Sequence, residues 1–194
     1  LQAAKDTSSP ELQRSAIIVL AQTGDETLLR ELRGVYRTAT DARVKHAVID
    51  AYMMAGDEES LLEVARVDPD PKTRGRAAEM LGAMGAIDAL RTLYKQEKDP
   101  EVRQRLASGM MIAGEAEALL DVARNEQNPR ARRAAIQMLG SMGEDVPDEV
   151  FEQLYRGARD PSEKDAVIDA LMVREDASLL VRLFRAETDA ARKR

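Results

Sequence analysis

The chain has 194 residues, of which 44% are hydrophobic, 33% charged and only 3% aromatic, with no Trp. That supplies a core of Ala, Leu, Val and Met, which suits packed helices and argues against a β-sandwich. The absence of Cys excludes disulfides and thiolate metal sites, the net charge of -6 speaks against bulk nucleic-acid binding, and no apolar run approaches the ~20 residues that span a membrane.

In chain order, Leu1-Gln2-Ala3-Ala4-Lys5 matches Leu62-Glu63-Val64-Ala65-Arg66 and reads as the end of a helix. A capping residue directly before proline then recurs at Ser9-Pro10, Asp70-Pro71, Asp99-Pro100, Asn128-Pro129 and Asp160-Pro161, with Asp41-Ala42 and Asp189-Ala190 in the same place without the proline. The cap oxygen accepts from an orphan N–H, and proline at the first helical position loses no bond. Each cap starts a helix, A, of about 13 residues, as in Val102, Leu106, Ala107, Met110 and Met111, whose spacing is helical. Glycines end these helices at Gly24, Gly56, Gly85, Gly114 and Gly143, at intervals of 32, 29, 29 and 29, and Glu175 continues the series 32 residues later. A second helix, B, follows each stop: Leu61-Leu62-x-Val64-Ala65, Ala89-Leu90-x-x-Leu93-Tyr94, Leu119-Leu120-x-Val122-Ala123, Phe151-x-x-Leu154-Tyr155 and Leu179-Leu180-x-x-Leu183-Phe184. A hairpin this small cannot bury its own apolar faces, so the hairpins must stack.

A longer period lies beneath. Six residues before each proline position stand Ala4, Tyr36, Ala65, Tyr94, Ala123, Tyr155 and Phe184, small and aromatic in alternation until the last. The run Met-Leu-Gly-x-Met-Gly also recurs after 58 residues, ending at Gly85 and Gly143. The packing unit is therefore expected to be a pair of repeats.

The pattern Asp-Pro-x-Val-Arg-x-x-Ala-Ala-x-x-Leu-Gly-x-x-Gly resembles HEAT repeats in the short bacterial form called PBS-lyase-like. It is carried by Asp99-Pro100-Glu101-Val102-Arg103, Leu106-Ala107 and Gly114, and by Arg132, Ala135-Ile136, Leu139-Gly140 and Gly143 in the next repeat. The resemblance implies an all-α solenoid, a right-handed superhelix of about six hairpins with A helices convex and B helices concave. It says little of function, because such repeats serve scaffolds, enzyme subunits and lyases alike. The whole of 1–194 reads as a single solenoid. Its opening within a B helix, and Lys193-Arg194 at the start of another A helix, read as a piece of a longer array.

Two basic columns run through the repeats. Five residues before each proline position stand Lys5, Arg37, Arg66, Lys95, Arg124, Arg156 and Arg185; three residues after it stand Lys45, Arg74, Arg103, Arg132, Lys164 and Lys193, with Gln13 the exception. The first column favours B-helix C-termini through the dipole, and the second is expected to pair with the caps in a ladder between repeats. Arg37, Arg66, Lys95, Arg124, Arg156 and Arg185 are also the candidate contacts for an acidic partner. Acid at the B-helix starts (Asp57-Glu58-Glu59, Glu115, Glu117, Glu144, Asp145, Asp148 and Glu149) suits helix N-termini.

All nine Met residues fall in the later half of A helices and are expected in the inter-repeat core; Tyr36, Tyr94, Tyr155 and Phe184 are expected to be partly buried. His46, the sole histidine, reads as an exposed helix residue and cannot alone build a zinc site. No Gly-x-Ser-x-Gly elbow, phosphate-cradling Gly-x-x-x-x-Gly-Lys loop or calcium loop occurs, so no catalytic residue, metal or cofactor is assigned. The expected function is a non-catalytic scaffold whose B-helix face binds another protein, with no nucleic acid, no membrane insertion and no obligate small molecule. The alternative, from the repeat subtype alone, is a subunit of a modifying enzyme such as a bilin lyase-like protein. The chain reads as soluble, cytoplasmic or exported; Leu1 in place of Met leaves the compartment open.

Overall fold

The computed structural model describes residues 1–6, 8–23 and 25–186. Among them are thirteen α-helices and one short 3-10 turn. They divide into two compact units, Leu1–Ala113 and from Gly114 onward. The first holds α1 (Gln2–Lys5), α2 (Pro10–Thr23), α3 (Glu26–Thr38), α4 (Ala42–Ala55), α5 (Glu58–Val67), α6 (Pro71–Ala83), α7 (Ile87–Gln96) and α8 (Pro100–Ile112). The second holds α9 (Ala116–Asn125), α10 (Pro129–Ser141), α11 (Asp148–Arg156), α12 (Pro161–Val173) and α13 (Ala177–Ala186). From α2 on, A and B helices alternate, so the fold class is the expected all-α solenoid with six A helices, each followed by a B helix.

The caps work as the sequence implies. The side chains of Asp41, Asp70, Asp99, Asn128 and Asp160 accept backbone N–H groups of their own first turns. The stops do too: Gly56, Gly85, Gly114 and Gly143 all have positive φ, and so does Glu175 at 60°, the only non-glycine among the described residues to do so. Gly24, Asp189-Ala190 and Lys193 lie outside the described residues. The two longer intervals are absorbed differently. Three extra residues lengthen α3 to 13 residues where α5 and α7 have 10. Near the other end they form the 3-10 turn Gly143–Asp145 ahead of α11.

The 58-residue period is a packing alternation. In the first unit α2 lies broadly against α4, and α6 against α8, while α4 meets α6 over a smaller area; in the second, α10 lies broadly against α12. The close pairs meet through small residues. A Cβ on Gly82 would sit 2.4 Å from the Gly109 carbonyl oxygen, and one on Gly140 would sit 2.6 Å from that of Ala170. The B-to-A contacts alternate in step: α5–α6 and α9–α10, which carry Ala65 and Ala123, are extensive, whereas α3–α4, α7–α8 and α11–α12, which carry Tyr36, Tyr94 and Tyr155, touch less.

This backbone contact corrects the expectation for methionine. Of the nine, only Met110 is fully buried; Met54 and Met172 are exposed and the rest half-buried. Small residues bring the A helices together at that level, so the thioethers lie at the margin. The core proper is Ile17, Leu32, Ile49, Leu61, Leu81, Leu90 and Leu106 in the first unit, and Leu119, Leu139, Phe151 and Val167 in the second.

Two substitutions test these assignments. Gly82→Ala must push backbone apart and should lower unfolding free energy by about 1–3 kcal/mol in urea melts. Glu175→Gly relieves a left-handed residue and should raise it by about 0.5–1 kcal/mol.

Candidate protein-binding face

Three corners from a B helix to the next A helix, those before α6, α8 and α10, are closed by a carboxylate two residues before the cap. Asp70 N–H donates to Asp68 Oδ1 at 2.9 Å, Asp99 N–H to Glu97 Oε1 at 2.8 Å, and Asn128 N–H to Glu126 Oε1 at 3.0 Å. Two of these carboxylates also receive the basic column of the preceding repeat. Lys45 Nζ lies 2.7 Å from Asp68 Oδ2, and Arg74 Nε lies 3.0 Å from Glu97 Oε2. The ladder therefore exists, but its rungs end on the corner acid and not on the cap, whose side chain turns to the N–H groups of its own first turn. Position 158 is Ala, and there Glu163 takes both roles: it accepts from the Arg159 N–H at 2.8 Å and pairs with Arg132. Both partners of that pair are nearly inaccessible, at 4% exposure each.

The same column reaches back to its own corner. Arg74 Nη1 donates to the Asp68 carbonyl, Arg103 Nη1 to those of Tyr94 and Glu97, and Arg132 Nη1 to those of Glu126 and Gln127. Gln13, the exception in the column, donates to the Ala4 carbonyl at 2.9 Å. Where the B helix ends in tyrosine, the cation also covers the ring. Lys45 stands 5.2 Å over Tyr36, Arg103 4.0 Å over Tyr94, and Lys164 4.9 Å over Tyr155. Tyr36 OH donates to Asp68 at 2.6 Å. Burial and the neighbouring Asp68 charge push the Tyr36 phenol well up. Burial alone would raise the Asp68 carboxyl, but hydrogen bonds from Lys45, Tyr36 and Asp70 N–H, with the Lys45 charge, outweigh it and hold it below its usual range.

The other column, Arg37, Arg66, Lys95, Arg124, Arg156 and Arg185, sits in the last turn of each B helix, where the dipole favours positive charge. It is not a continuous ladder. In the first unit Arg37 lies 3.6 Å from Glu63 of α5, with both side chains more than half exposed. Arg66 and Lys95 are exposed and have no hydrogen bond or ion pair among the described residues. In the second unit Arg124 donates to Gln153, and Arg156 pairs with Glu152 on its own helix at 3.0 Å. Arg185 has no partner among the described residues.

Two clefts of about 280 Å³ each open beside this column in the first unit. One lies between α3 and α5, with Arg33, Arg37, Glu63 and Val67 on it; the other lies between α5 and α7, with Arg66, Gln96 and Lys98 on it. Val67 is 64% exposed. Arg33 and Lys98 escape the column reading because they stand outside its register, and the corner acids escape it because they precede the conspicuous Asp-Pro caps. An acid at 68, 97 and 126 is nonetheless readable once the repeats are aligned. Phe184 is 52% exposed, against the expected partial burial of the aromatic row. It stands on α13, the last helix described.

His46 is another correction. It is half-buried, and its Nε2 is buried without a hydrogen-bond partner. Burial holds its pKa below 6.5; the Arg76 charge adds to this, while Asp50, Asp70 and Asp68 oppose it. Among the described residues no cluster of His, Cys, Asp or Glu is placed to hold a metal ion, and no helix is long and apolar enough to cross a membrane.

Residues 58–119, from the start of α5 into α9, match the family model for HEAT repeats, and that stretch is similar to them. No curated protein matches the chain.

Two measurements follow from this geometry. His46 should titrate below 6.5 by NMR, with no other imidazole to confuse the signal. A folded state that resists protonation loses stability as pH falls from 6.5 toward the lowered pKa, so His46→Gln should flatten that part of the pH–stability curve. Removing one partner of the buried pair, as in Arg132→Met, should cost about 3–5 kcal/mol, and Arg132→Met with Glu163→Leu should recover a large part of it.

Proposed function

We propose that the protein is a non-catalytic scaffold that binds another protein through its B-helix face, and that its repeats are of the short bacterial PBS-lyase-like type. The observation that carries the reading is the unequal use of the two basic columns. The column at the A-helix starts is consumed by the ladder, while the column at the B-helix ends stands exposed; Arg66 and Lys95 have no partner among the described residues, and Arg66 lines one of the two open clefts. The similarity of residues 58–119 to HEAT repeats supports it, because stacked repeats present broad surfaces on which many modest contacts add up. Spacings of 29 residues between stops, with Asp-Pro-x-Val-Arg at a helix start, support the subtype.

A photo-crosslinking amino acid tests the face. Placed at Val67, the last residue of α5, it should yield covalent adducts with a partner protein in the native cell. Placed at exposed Gln104 on α8, an A helix, it should yield none. Adducts from Gln104 alone would overturn the proposal.

A further inference from the structure

We propose that the C-terminal ends of α3, α5 and α7 form a track for an extended acidic segment of the partner protein, with one carboxylate side chain entering each cleft between neighbouring B helices. The inference rests on the scaffold reading and names the chemistry of what that face binds.

Three observations carry it. First, the charge is unpaired. The chain holds 35 acidic residues against 29 basic ones, yet Arg66 and Lys95 meet no carboxylate among the described residues. Nearby cations are engaged instead: Lys45 with Asp68, Arg74 with Glu97 and Arg33 with Glu59. Cations left alone amid an excess of acid attract carboxylates from outside. Second, the clefts repeat. They have the same volume, about 280 Å³ each, and both are edged by basic side chains at the B-helix ends: Arg37 in the last turn of α3 at the first, Arg66 in the last turn of α5 and Lys98 just past α7 at the second. Third, the spacing suits an extended chain. Packed helices stand about 8–10 Å apart, and a strand advances about 3.3 Å per residue. An acidic residue at every third position therefore keeps register with one cleft per helix.

The segment must also satisfy the floor of the track. The Arg74–Glu97 pair lines the second cleft and leaves Glu97 there as a negative group. A dense run of carboxylates would crowd against it, whereas spaced ones fall beside Arg66 and Lys98. Exposed Val67 adds an apolar contact on the first cleft. A protein segment is favoured over nucleic acid for the same reason, because a continuous phosphate backbone would meet Glu63 and Glu97 within the track, and the net charge of -6 repels it.

The test uses the full chain and three fluorescein-labelled probes read by anisotropy. One is a twelve-residue peptide with Glu at every third position among Gly and Ser. The second has the same composition with its Glu residues contiguous, and the third is a twelve-nucleotide oligo-dT. The spaced peptide should bind about tenfold more tightly than the contiguous one, since matched spacing engages the clefts together. Raising NaCl from about 50 to about 300 mM should weaken it markedly. Arg66→Glu and Lys95→Glu should each reduce binding by about five- to tenfold. Arg66→Lys should retain most of it, and Gln104→Glu on α8 should leave it unchanged. The Arg66 and Lys95 side chains make no hydrogen bond or ion pair among the described residues, so their variants should melt as the parent does. Equal affinity for both peptides, tighter binding of oligo-dT, or no salt-sensitive binding at all would each overturn the proposal. If Val67 crosslinks a partner while the spaced peptide fails, only this inference falls; if Val67 gives no adduct either, the scaffold reading falls with it.

Discussion

Everything in this structure hangs on the corner between a B helix and the next A helix. Before α6, α8 and α10 a carboxylate accepts the N–H of the cap that follows and, at the first two of these, the cation of the preceding repeat: Lys45 onto Asp68 and Arg74 onto Glu97. One group thus joins local chain direction to stacking. A corner that opened would lose a turn and an inter-repeat bond together, and the buried partner would be left charged and alone, which is far costlier than losing an exposed ion pair. The site at Glu163 shows a variant of the role. With Ala at 158, the carboxylate comes from the first turn of α12 instead, and it still meets both the corner N–H of Arg159 and the cation of Arg132.

The alternation of alanine and tyrosine gives the corner two forms. Ala65 and Ala123 let the B and A helices meet closely. Tyr36, Tyr94 and Tyr155 hold them further apart and fill the gap with a ring, over which Lys45, Arg103 and Lys164 lie. The A helices answer in kind, with Gly82 against Gly109 and Gly140 against Ala170 at the close contacts. A uniform repeat could not satisfy both distances, so the unit that packs is a pair of repeats.

Much of this was legible in the sequence because it depends on local backbone chemistry. Caps, prolines and left-handed stops act within one turn, so even Glu175 could be placed where glycine belongs. The 58-residue period was legible because residue size at one position sets one distance. What was not legible depends on three-dimensional competition. The caps looked like the acids of the ladder, but their oxygens are taken by their own helices. Methionines looked like core, but all except Met110 lie half-buried or exposed. His46 looked exposed, and nothing nearby in sequence reveals that Arg76, from the next A helix, lies beside it. At the candidate face the register of Arg37, Arg66 and Lys95 was visible, while which of them would remain unpaired was not.

The unpaired cations follow from the same division of labour. At the A-helix starts, the corner acids come within reach of the basic column, so charge there is spent internally. Of the acids that line the clefts at the B-helix ends, Glu63 and Glu97 each have a cation already: Arg37 for Glu63, Arg74 for Glu97. Arg66 and Lys95 have no such partner among the described residues. Dipole attraction keeps such residues at a helix C-terminus at little cost. A face whose charge is surplus to the fold can bind and release a partner without loosening the stack, whereas the buried column could not engage one without opening a corner.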